Sequence, residues 1–95
     1  MMGPIGMPRI SEFFGISIYL YFDDRSHHAL PHIHAMYSGN EAVYSIQNGI
    51  RLAGQLPRRQ DRLVKKWMSL RTSELEHAWQ CAVKMEDPGQ IKPLT

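Results

Sequence analysis

Ninety-five residues, 43% of them apolar, suffice for one small domain with a single core and are too few for two. One cysteine, Cys81, excludes an internal disulfide, and no run of residues approaches membrane-spanning length. The net charge of +2 names no partner by itself, but it is unevenly spread: Arg58, Arg59, Arg62, Lys65, Lys66 and Arg71 face one acid in that span, Asp61.

The opening "MMGPIG", residues 1–6, is expected to be a poorly ordered leader before a single α+β domain over residues 7–95. No secretory leader pattern and a lone cysteine make the cytoplasm the expected compartment, with no membrane partner. A chain this short buries a modest share of its surface, so an obligate partner or a homodimer would add stability.

"GISIYLYFDD" alternates, with Ile16, Ile18, Leu20 and Phe22 on one side and Ser17, Tyr19 and Tyr21 on the other. β-branched and aromatic residues dominate it, which predicts a strand. "DDRSHHALP" is a polar loop whose Pro31 holds Leu30 extended. "HIHAMY" predicts a second strand, with His32, His34 and Met36 on one face and Ile33, Ala35 and Tyr37 on the other. "SGN" turns the chain into a third strand, "EAVYSI", and Asn48-Gly49 turns it again into a short fourth, "IRLAG".

Pro57 opens a helix where a missing N–H costs nothing. Leu63, Val64, Trp67 and Leu70 recur at helical spacing and leave the basic residues on the opposite side. Ser73 and Glu76 have the spacing of a capping box, predicting the start of a second helix, with Leu75, Ala78, Trp79, Ala82 and Val83 as its apolar stripe. The tail carries Ile91 and Leu94 back toward the core. The expected architecture is an antiparallel meander of three or four strands followed by a helical hairpin packed on one face, leaving the other face for chemistry.

"HHALPHIHA" concentrates four of the five histidines. Strand alternation points His32 and His34 the same way, about 6.5–7 Å apart; His28 can join them across Pro31, and Asp23 or Asp24 can orient a ring through its second nitrogen. Three uses fit this pattern. His28, His32 and His34 can ligate a metal with an open position; the imidazoles can carry out metal-free acid–base work on RNA, which brings its own 2′-hydroxyl nucleophile; or the rings can simply decorate an open sheet face. His27 reads as a bystander and His77 as a surface helical residue, while Trp67, Trp79 and Cys81 read as packing residues.

Together "MPRISEFFGISIYLYF", "HALPHIHAMYSG", "GQLP", Trp67, Glu74-Leu75 and Trp79 resemble a small bacterial family, domain-of-unknown-function family 4160, from Met7 to about Leu94. His28, Pro31, His32 and His34 match its histidine motif. Leu30 stands where a proline is common, and Arg25-Ser26-His27 separate Asp24 from the motif, so the resemblance leaves the match of Asp23 or Asp24 to the family's aspartate open. The resemblance implies pairing with another short protein encoded nearby, as a toxin pairs with its cognate antitoxin. The resulting expectation is the toxin of a type II pair, most simply a ribonuclease. His28, His32, His34 and Asp24 would be its catalytic group, and Arg58, Arg59, Arg62 and Tyr21 its contacts to substrate or, for the arginines, to an acidic partner. The alternative is a binding or regulatory module with a metal on His28, His32 and His34. The sequence names no cofactor.

Overall fold

The computed structural model describes residues 8–21 and 30–95. Five strands, β1 (Arg9–Phe13), β2 (Ile16–Tyr19), β3 (His32–Tyr37), β4 (Asn40–Ser45) and β5 (Arg51–Gly54), pair in sequence order as one antiparallel sheet, and two helices follow, α1 (Arg58–Leu70) and α2 (Thr72–Val83). The fold is the expected α+β meander with one strand more than the sequence pattern shows.

That additional strand is β1. Its alternation is broken where the register shifts between Arg9 and Ser11, so that Ile10 and Ser11 are both buried. The β1–β2 connection is a two-residue turn in which Phe14 and Gly15 both adopt positive φ, 49° and 79°. Ser38 and Gly39 repeat the geometry between β3 and β4. Two consecutive positive φ values match the twist of the flanking strands, which is why these turns set the register tightly.

One face of the sheet carries Ile16, Ile18, Leu20, Ile33, Ala35, Ala42, Tyr44 and Ile46, all buried in the main core with Val64, Trp67 and Met68 of α1 and Leu75, Ala78, Trp79 and Ala82 of α2. The helix stripe differs from expectation at one position: Leu70 is 52% exposed and Met68 takes its place. Val64, Trp67 and Met68 are the i, i+3, i+4 set facing the sheet, and Leu70, roughly 100° round the helix from their centre, points outward. Trp67 packs on Phe13 with ring centroids 5.2 Å apart and donates its indole N–H to the Lys92 carbonyl. The tail does fold back: Ile91 is buried and its N–H bonds to the Ile10 carbonyl.

The Ser73–Glu76 capping box does not form. α2 begins at Thr72, with Arg71 before it and no side chain capping its end. The chain leaves helical geometry only at Arg71, whose own N–H bonds back to Met68, and Thr72 bonds its hydroxyl to that same carbonyl. Ser73 is thereby already inside the helix.

Candidate functional site

The sheet has two faces, and the register says which residues share each. Ile33 pairs with Tyr44 and Ala35 with Ala42; Tyr44 then donates its hydroxyl to Asp61 of α1 at 2.7 Å, so α1 lies on that face. Strand alternation places His32, His34 and Met36 on the other face, with Ser45, Val43 and Glu41 opposite them. Tyr19 pairs with His34 on the same side.

His32 and His34 are both buried, at 1% and 8% exposure. Their rings stand edge to face with centroids 5.2 Å apart. Each ring is held by its Nδ1. His32 Nδ1 lies 2.8 Å from the Leu30 carbonyl oxygen, which can only accept, so this nitrogen carries the proton. His34 Nδ1 lies 2.9 Å from Glu41 Oε2 and donates to that carboxylate. Tyr21 stacks on His34 with centroids 3.9 Å apart and planes 8° from parallel. Trp79 of α2 meets His32 at 5.1 Å, so at this end of β3 the ring is packed against a core residue and is not on the open sheet face that the sequence pattern predicts. The rings are therefore fixed in position, and in their neutral forms the acceptor nitrogen of each is Nε2.

Two residues of this arrangement carry no signal in the histidine motif. Glu41 lies diagonally across the hairpin from His34. Ser45 stands directly opposite His32, and its hydroxyl is buried with no hydrogen-bond partner among the described residues. The turn at Ser38-Gly39 sets the register that brings both to this face. The sequence carries the clue to Glu41, because a two-residue turn there pairs Tyr37 with Asn40 and Met36 with Glu41.

Of the expected site residues, His32, His34 and Tyr21 come together. His28 and Asp24 lie outside the described residues, as do Asp23 and His27. Arg58, Arg59 and Arg62 do not join the histidines: all three are exposed on α1, on the far side of the sheet. Asp61, the acid of the basic span, is engaged by Tyr44 and by Lys65 at 3.6 Å, which leaves the outer face of α1 strongly cationic. Among the described residues no group of three or more His, Cys, Asp or Glu side chains is arranged to hold a metal, and no helix is long and apolar enough to cross a membrane.

A family model described as "Domain of unknown function (DUF4160)" matches residues 15–80, more than half of the chain and the whole span from β2 into α2. No curated protein and no solved structure matches the chain.

Proposed function

The chain belongs to the DUF4160 family, and from that premise we propose that it is the toxin component of a bacterial type II toxin–antitoxin pair, working in the cytoplasm on RNA through the sheet face of His32 and His34. The observation that carries the reading is the pair of imidazoles, each anchored through Nδ1 and set 5.2 Å apart. RNA supplies its own nucleophile in the 2′-hydroxyl: one imidazole would take that proton through a neutral Nε2 as the oxygen closes on phosphorus, and the other, protonated at Nε2, would give a proton to the 5′-oxygen that leaves. Tyr21 and Glu41, half-exposed and exposed respectively, border the pair where it meets solvent.

The cationic face of α1 then belongs to a different task. Its residues are exposed on α1, whose Asp61 bonds to Tyr44 on the sheet face opposite to the one that strand alternation gives His32 and His34. An acidic segment of the antitoxin is the partner that face fits.

A second reading, a binding module that cleaves nothing, draws support from the burial of His32, which suits a held ligand better than open access to a polymer. Induced expression in a host lacking the antitoxin separates the two. Growth arrest with loss of intact RNA, abolished by His32→Ala/His34→Ala in a chain that remains folded, is the result expected of the ribonuclease. Wild-type expression with normal growth and intact RNA would sink it.

A further inference from the structure

We propose that the outer stripe of α1 docks an acidic amphipathic helix of a partner protein, seated on Leu63 and Leu70 and ion-paired to Arg59, Arg62 and Lys66. It gives a form to the partner assigned to the cationic face above, and it rests on that reading for the partner's identity as the antitoxin.

The stripe is built by spacing. Arg59, Leu63, Lys66 and Leu70 succeed one another at intervals of four, three and four residues, which keeps them within roughly 60° of the helix circumference. Val64, Trp67 and Met68 take the side that faces the sheet. Leu63 is half-buried, packed at its base against the core, and Leu70 is exposed. Beside Leu63 runs a shallow groove of about 620 Å³ lined by Arg59, Arg62, Lys65 and Lys66. Apolar and basic side chains therefore alternate along one ridge. A single exposed leucine needs no explanation. Two leucines seven residues apart on one helix form a seam that a second helix can cover, with its own apolar side chains over them and charged residues on either flank.

Charge decides which helix that is. The ion pairs of this helix and its end, among the described residues, are Lys65 with Asp61 and Arg71 with Glu74, which leaves Arg59, Arg62 and Lys66 without a carboxylate. Arg62 stands four residues from both Arg58 and Lys66, so like charges are neighbours along the helix. Arg58 and Arg59 also occupy the first turn, where the helix's own dipole is positive. Each arrangement weakens the isolated helix, and carboxylates laid along the stripe relieve all of them. A second copy of this chain is a poor occupant, because Arg59, Arg62 and Lys66 would meet their own counterparts. A nucleic acid would engage the cations and leave Leu70 in water.

The probe is a synthetic helical peptide of about three heptads, with one leucine per heptad flanked by glutamates, titrated into the full ¹⁵N-labelled chain. Saturable binding is expected, with amide shifts confined to α1. Leu70→Ser should weaken it about tenfold through lost apolar contact, and Arg59→Glu by about tenfold through charge. Lys84→Glu, the same change in net charge on an exposed residue beyond α2, should leave the affinity unchanged. Both Leu70 and Arg59 are exposed, so both variants should keep the wild-type melting temperature. A folded wild-type chain that does not bind, or an affinity indifferent to Leu70→Ser, overturns the proposal. A single-stranded deoxyoligonucleotide that binds α1 more tightly than the peptide, and equally well in Leu70→Ser, also overturns it and gives the face to nucleic acid. Growth arrest by a chain that binds no peptide keeps the toxin and removes this surface. Peptide binding by a chain that leaves growth normal keeps the surface and removes the antitoxin as its occupant.

Discussion

The Tyr44 hydroxyl donates to Asp61 Oδ1 across 2.7 Å, joining the middle of the sheet to the first turn of α1. Burial, then the hydrogen bond and the negative charge of Asp61, hold this phenol well above its ordinary value of 10.0. Below pH 10 the folded and unfolded chains both keep the proton, and the contribution to stability is complete. Above pH 10 the unfolded chain releases it and the folded chain does not, so stability falls by about 1.4 kcal/mol per pH unit from this group. Tyr44→Phe should remove that part of the alkaline slope, while lowering stability near neutral pH by about 1–2 kcal/mol for the lost bond to a charged acceptor. Denaturant midpoints of both proteins between pH 7 and 11 check it; parallel curves would show that Tyr44 ionises equally in both states.

The histidine tautomers give a second prediction. With Nδ1 donating in both rings, nitrogen-15 spectra of labelled protein above the imidazole titration range should show His32 and His34 as Nδ1–H forms, whereas an unconstrained imidazole in water prefers Nε2–H. In Glu41→Ala the His34 ring should lose that preference and His32, held by the Leu30 carbonyl, should keep it. Both rings in the ordinary form would contradict the anchoring on which the site rests.

Gly54 and Gly39 both have positive φ, 69° and 85°, but their surroundings differ. At Gly39 a Cβ meets nothing within 4 Å, so Gly39→Ala should cost about 1–2 kcal/mol for the conformation alone. At Gly54 a Cβ would overlap the Glu41 carbonyl oxygen, a backbone atom that also accepts from Gln55 N–H. Gly54→Ala must push β5 away from β4 and should cost roughly 3 kcal/mol or more. It should also loosen Glu41 from His34, so the Nδ1–H preference of the His34 ring should weaken with stability in this variant and stay unchanged in Gly39→Ala. Thermal unfolding of the pair, with nitrogen-15 spectra of each, reads both effects.

Much of this was legible in the chain because its strands alternate cleanly and its helices carry apolar stripes. Ile16, Ile18 and Leu20, or Val64 and Trp67, declare their faces by spacing alone. β1 does not, because the irregularity between Arg9 and Ser11 puts two successive residues inside and erases the period that pattern reading depends on. The pairing of His32 with His34 follows from alternation within one strand. Glu41 is reachable from the two-residue turn, which fixes the hairpin register, but its bond to His34 and the unpartnered burial of Ser45 depend on side-chain packing that spacing does not encode. For the arginines, spacing gives the outer face of a helix and no more; which side of the sheet the helix packs on is decided by contacts such as Tyr44 with Asp61.

That placement leads to the last prediction. Arg59 and Arg62 border a shallow groove floored by Leu63, with Lys65 and Lys66 beside them, and none of these side chains is on the histidine face. If the cations held substrate, reversing them would weaken RNA cleavage directly. If they hold an acidic antitoxin segment, Arg59→Glu/Arg62→Glu should leave the isolated chain as active as wild type and equally stable within about 0.5 kcal/mol, because both positions are exposed. Rescue by the co-expressed antitoxin should then fail, since like charges now meet across the interface. The effect should shrink in high salt, as expected for exposed charges beyond a short screening length. Growth curves with and without the co-expressed partner, beside an RNA cleavage assay on the purified variant, decide between the two. Lost cleavage with intact rescue would move these arginines back to the substrate and require RNA to wrap around the edge of the sheet.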